Sequence, residues 1–136
     1  MMGRRQLIVP PGLEVLVERV HYAPGVLVDD TLYVSGQVGR QVGPDGQLRV
    51  IDDKEAQFEQ AFANVGKVLE AARMGFDDVV ELETWLLDFP ADLPLLMRVK
   101  DKFLGDCTPT WTGFGVASFS MPGIALEVKV TAVRGA

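Results

Sequence analysis

The amino-acid sequence predicts an α+β domain: a mixed β-sheet with two helices packed on one face. Three observations predict it. Residues 53–72 repeat apolar side chains at helical spacing. Several shorter segments are rich in β-branched and aromatic residues or alternate in polarity, as strands do. The order of these segments is two or three strands, a long helix, a strand, a second helix and two strands. The 136 residues make one domain, 1–136, with a core that needs no disulfide or metal.

Segment 14–20, EVLVERV, alternates apolar and polar residues and is expected to be a strand; 31–38, TLYVSGQV, is expected to be the next. Between 39 and 48, Pro44, Asp45 and Gly46 signal a hairpin-like reversal, because proline presets φ and glycine accepts a positive one. In the long helix Phe58, Phe62, Val65 and Leu69 form the buried stripe, widened by Ala61, Val68 and Ala72. Asp52 and Glu55 have capping-box spacing, and Gly75 suits a helix stop. Segment 79–87 reads as a strand, and 93–104 as a shorter helix with Pro94 near its first turn and a stripe of Leu96, Val99 and Phe103. The last two strands are expected at 110–117 and 125–133; the second alternates Leu126, Val128, Val130 and Ala132 against Glu127, Lys129 and Thr131. With both helices on one face, the other face of the sheet needs cover, and a homo-oligomer supplies it.

Composition excludes several function classes. The net charge is −6 and the thirteen Lys and Arg are scattered, so no sequence-general nucleic-acid binding is expected. One cysteine and one histidine cannot build a thiolate zinc site of the usual four-ligand kind, so no metal is expected. The N-terminal apolar run is too short for a signal peptide and no run is long enough to span a membrane, which makes the cytoplasm the expected address. Neither phosphate-loop motif, GxxxxGK[ST] or GxGxxG, occurs.

Few residues offer chemistry. Cys107 lacks a recognisable base or cation to activate it, and His21 is either a base or an ordinary loop or core histidine. Glu127 stands inside a strand that otherwise reads as core. It is either part of a solvated face or a carboxylate lining a cleft between subunits, where partial burial tunes it for proton transfer. Trp111 is either packing in the core or interface, the role expected of Trp85, or a cleft wall.

Ser35-Gly36-Gln37, the helix QFEQAFANVGKVLEAA, the segment GFDDVVELETWLLD, a proline before the penultimate strand and the final ALEVKVTAV together resemble the RidA (YjgF) family, from about Val20 to Arg134. The resemblance implies a chorismate-mutase-like fold, a homotrimer with small-molecule clefts at its subunit interfaces, and no cofactor. Active members hydrolyse reactive enamines and imines to a 2-oxo acid and ammonia. On this resemblance Tyr22, Ser35 and Gly36 line the cleft and Glu127 positions water.

The resemblance also implies a departure. The family's deaminase arginine falls two residues after the proline, and that position is Trp111; polar positions of the second helix fall near Met97 and Lys100. An indole has one neutral donor, whereas a guanidinium forks onto a carboxylate. The expected function is therefore a trimeric RidA-like protein whose cleft, with Tyr22, Ser35, Gly36, Trp111, Met97 and Glu127, binds an unidentified small molecule that is flat, apolar or cationic, without arginine-type 2-imino acid deamination. The alternatives are an imine deaminase in which Arg40 or Lys100 replaces the arginine, and a non-catalytic regulatory or interaction protein. Ribonuclease action is disfavoured by the acidic balance.

Overall fold

The protein is described by a computed structural model over residues 4–136, so the first three residues of the domain expected over 1–136 lie outside it. Its strands are β1 (Arg5–Ile8), β2 (Gly25–Val28), β3 (Thr31–Val34), β4 (Gln37–Val38), β5 (Arg40–Val42), β6 (Leu48–Val50), β7 (Val79–Leu86), β8 (Thr110–Gly115) and β9 (Leu126–Val133). Two helices, α1 (Lys54–Ala71) and α2 (Phe89–Leu104), complete it. The main sheet runs β1-β2-β3-β9-β7-β8, with β4 also paired to β9, while β5 and β6 form a separate hairpin. Among the described residues only β7 and β8 pair in parallel, so the sheet is mixed as the sequence predicts.

The last strand sets the two faces. Leu126, Val128, Val130 and Ala132 of β9 are buried beneath the helices, and Glu127, Lys129 and Thr131 point the other way. From α1, the predicted stripe of Phe58, Ala61, Phe62, Val65, Val68 and Leu69 is buried against that face, and Leu96 and Val99 of α2 join it. No helix covers the opposite face, which carries Tyr33, Trp85 and Phe114; the last two stack with ring centroids 5.4 Å apart. Trp85 thus lies on the open face and not in the core, which excludes one of the two places expected for it. Across that face Lys129 reaches Glu83 at 3.8 Å, and the Thr131 hydroxyl donates to Glu81 at 3.1 Å.

Three local expectations are corrected. Residues 14–20 form no strand: Leu16–Val20 is a wide helical turn that buries only Leu16. The Gly12 N–H is tied to the Glu14 carboxylate at 3.0 Å, so the chain curls directly after Pro10 and Pro11. Helix α1 is capped by Asp53, which accepts the Ala56 N–H at 2.9 Å, and not by Asp52. It ends at Ala72, in keeping with the repeat over 53–72, and a left-handed Arg73 (φ 58°) makes the stop in place of Gly75. The stop is local, with the N–H groups of Arg73 and Met74 turned back onto the Glu70 and Leu69 carbonyls at 2.9 Å. From the far end of the chain the Arg134 guanidinium braces it by donating to the carbonyls of Ala72 and Arg73 at 3.0 and 3.1 Å. Helix α2 also begins four residues earlier than expected, with Pro90 at its start and Pro94 inside it. Strands β1 and β2 were not anticipated; the hairpin around Pro44–Gly46 was, and β5 and β6 form it.

Candidate functional site

Glu127 lies on the open face, paired in register with Val38 of β4 and Trp85 of β7. Its carboxylate rests on Gly36. A Cβ at that position would collide with the carboxylate oxygen and lie 2.7 Å from Cδ, so only glycine leaves room for it. The side chain is half-buried, and this desolvation pushes its pKa above the ordinary value; Arg40, acting through space, pulls it partly back. No described residue forms an ion pair with it. A partly dehydrated carboxylate with free lone pairs can hold a water and accept its proton.

Ser35 precedes Gly36 in the chain, and Tyr22 is tied to Arg40. The Arg40 guanidinium donates to the Tyr22 hydroxyl at 3.2 Å. Ser35 donates its hydroxyl to the Ala23 carbonyl at 2.7 Å, which makes it a brace for the cleft wall rather than a free nucleophile. Tyr22, Ser35, Arg5, Leu7 and His21 line a recess of about 460 Å³ in the same region. His21 adopts the left-handed conformation (φ 63°) that ends the 16–20 turn and sends the chain toward β2. On sequence Arg40 is only a candidate replacement cation; its place beside Tyr22 depends on the bend at Gly39 between β4 and β5.

Trp111 and Met97 are not part of this cluster within one protomer. Trp111 pairs in register with Leu82 and therefore points to the helix side, where its indole N–H donates to the buried Thr84 hydroxyl at 2.9 Å. Lys100 of α2 lies over the indole, Nζ 5.0 Å from its centroid, and also contacts Asp101 at 2.6 Å. Trp111, Lys100, Asp101 and Cys107 border a smaller hollow of about 270 Å³. Met97 is exposed one turn earlier on α2. Trp111 remains 37% exposed, at the free edge of the sheet, so it is open to a neighbouring molecule.

Cys107 donates its thiol to the Val79 carbonyl at 3.4 Å. Desolvation raises its pKa, and the nearby Asp77 and Asp78 raise it further. That is the opposite of what a thiolate nucleophile needs. No described helix is long and apolar enough to cross a membrane.

Residues 14–134 match the model of the family described as Endoribonuclease L-PSP. The chain belongs to that family, the RidA (YjgF) family. Among its relatives is the RutC family protein YjgH of Escherichia coli, 32% identical over 132 residues and covering 96% of each chain. The 2-iminobutanoate/2-iminopropanoate deaminase of Bos taurus is 32% identical over 114 residues, 84% of this chain and 80% of the relative. A solved structure of protein YJGH superposes with a TM-score of 0.83 at 30% identity, covering 96% of this chain and 97% of that one. The sheet order and the two helices on one face are thus the RidA fold, and the family includes imine deaminases.

Proposed function

We propose that this RidA-family protein hydrolyses reactive imines or enamines without a cofactor, in clefts between the subunits of a homotrimer, with Glu127 as the base. The observation that carries this reading is the half-buried Glu127 carboxylate seated on Gly36, its pKa raised by desolvation. In the reaction Glu127 takes a proton from water, whose oxygen adds to the imine carbon. That proton passes to the nitrogen, giving the neutral carbinolamine; its hydroxyl proton then moves by way of Glu127 to the amine, the C–N bond breaks as the C=O bond forms, and ammonia and a carbonyl product leave. An enamine enters the same sequence after protonation at carbon.

Two features support the trimeric cleft. The uncovered face carries the Trp85 and Phe114 stack and Tyr33, an apolar surface that a second copy would shield. In one protomer the residues of the expected cleft also fall in two groups on opposite faces: Tyr22, Ser35, Gly36 and Glu127 in one, Trp111 and Met97 in the other. Assembly would bring the groups of neighbouring protomers together, with Trp111 as a wall. Position 111 then supplies no carboxylate donor, because the single N–H of its indole is already given to Thr84.

A binding protein without turnover is the second reading, favoured by that same consumed donor. The deciding experiment generates 2-iminopropionate in situ with an L-amino-acid oxidase and follows its disappearance. The expected result is acceleration by the natural protein and about a 100-fold loss in Glu127→Gln, in the range for removing a general base. Absence of acceleration, or full activity in Glu127→Gln, overturns the hydrolase reading.

A further inference from the structure

Arg40, whose charge acts on Glu127 through space, is in no ion pair with a described carboxylate. Eight basic side chains form ion pairs among the described residues, and Arg40 is not one of them. Its guanidinium is part-buried and makes one side-chain hydrogen bond, to the Tyr22 hydroxyl at 3.2 Å. A guanidinium has five N–H donors, so most of its capacity is unspent, and removing it partly from water makes an anionic partner more valuable.

Its backbone is fixed from two sides. Asn64 of α1 donates its amide to the carbonyls of Val38 and Arg40 at 2.9 and 3.0 Å. Gly39 packs so tightly on Gln57 that a Cβ there would overlap the Gln57 carbonyl oxygen, which pins the start of β5 against the helix. The other candidate cation, Lys100, lies on the helix side and is already engaged by Asp101 and the Trp111 ring.

We propose that Arg40 is the anion-binding residue of this cleft: its free fork holds the ligand's carboxylate beside Tyr22 and so sets the adjoining carbon against Glu127. This rests on the hydrolase reading only for turnover, since the anchor requires binding alone. Arg5, which lines the adjoining recess, is unpaired too among the described residues, but it is exposed whereas the Arg40 guanidinium is part-buried, so Arg40 is the cation that gains more from an anionic partner. In a 2-imino acid the imine carbon is bonded directly to the carboxylate carbon, which places the two functions a single bond apart. A cation and a base sharing one small site can bracket such a molecule.

The test compares the natural protein with Arg40→Met, Arg40→Lys and Trp111→Arg, all checked for folding by circular dichroism. Binding of 2-oxobutyrate is measured by calorimetry. Hydrolysis is followed on 2-iminobutyrate from an L-amino-acid oxidase and on a neutral aldimine released from butylamine by a flavin amine oxidase. Arg40→Met should weaken 2-oxobutyrate binding and raise KM for 2-iminobutyrate, each by about 100-fold, as expected for loss of a charge-assisted pair. Arg40→Lys should recover part of this, because the charge survives without the fork. Trp111→Arg should bring no gain in either value, since Arg40 already supplies the anion site.

Undiminished 2-oxobutyrate binding in Arg40→Met overturns the proposal, and so does a natural protein that handles the neutral aldimine as well as the imino acid. A tenfold gain in Trp111→Arg overturns it too, by showing that the anion site was empty. If the natural protein binds 2-oxobutyrate through Arg40 but hydrolyses neither imine, the hydrolase reading falls and the anchor stands.

Discussion

The Cα of Gly36 and the carboxylate of Glu127 are packed so closely that a methyl group on residue 36 would overlap the carboxylate. One strand thus decides where the side chain of another can rest. Gly36→Ala must push Glu127 off its seat, and a displacement on the order of 1 Å is worth about 100-fold in rate. We expect that loss in imine hydrolysis at little cost in stability, because what must move is the free end of a side chain. Glu127→Gln, similar in shape, should lose comparable activity. Unfolding curves measured beside the rates show that each loss is local; an active Gly36→Ala would show that the contact does not place the base.

Desolvation raises the pKa of Glu127 and Arg40 opposes it, which gives two pH dependences of definite sign. A base works as the carboxylate, so kcat/KM should rise with pH along an acid limb above the usual glutamate value of about 4.3. Removing the cation in Arg40→Met should move this limb to higher pH. For stability, a carboxyl whose folded pKa exceeds its unfolded one contributes fully below the unfolded value, and that contribution is lost as pH rises through the folded value. Glu127→Gln should therefore match the natural protein at about pH 4 and melt at a higher temperature at pH 7. Scanning calorimetry at the two pH values reads this directly; equal melting at both would mean the burial is relieved in solution.

Much of the fold was legible because it rests on strong periodicities. The 3.6-residue stripe of Phe58, Phe62, Val65 and Leu69 and the alternation along β9 each report which side faces the core. The errors fell where a remote residue takes part in a local structure. Helix α1 ends where its apolar repeat ends, but the chain turns there on a left-handed Arg73 and not on Gly75, and Arg134 holds that turn from the far end of the sequence. Residues 14–20 alternate like a strand, yet only Leu16 finds a buried place and the segment curls instead. At the site, Glu127 was visible as a charge in a core-like strand, while the pairing of Tyr22 with Arg40 depends on the turn that carries the chain from β4 into β5. That Trp111 faces away from Glu127 follows from the parallel register of β7 and β8, a long-range pairing that composition does not encode.

The bond from the Trp111 indole to Thr84 links the free sheet edge to the core, and the two can be uncoupled by one substitution. Thr84 is fully buried and its hydroxyl accepts this bond at 2.9 Å. Thr84→Val keeps the shape and removes the acceptor, leaving the indole N–H to find water at the edge. A net loss of about 1 kcal/mol in unfolding free energy is expected, the usual worth of such a bond. In a Trp85→Phe background the emission of Trp111 should shift to the red as the ring loosens from its place. If the ring walls the ligand cleft, KM should rise severalfold while kcat, which depends on Glu127 on the other face, stays within twofold. Loss of kcat as deep as that of Glu127→Gln would instead assign the held indole to the chemical step.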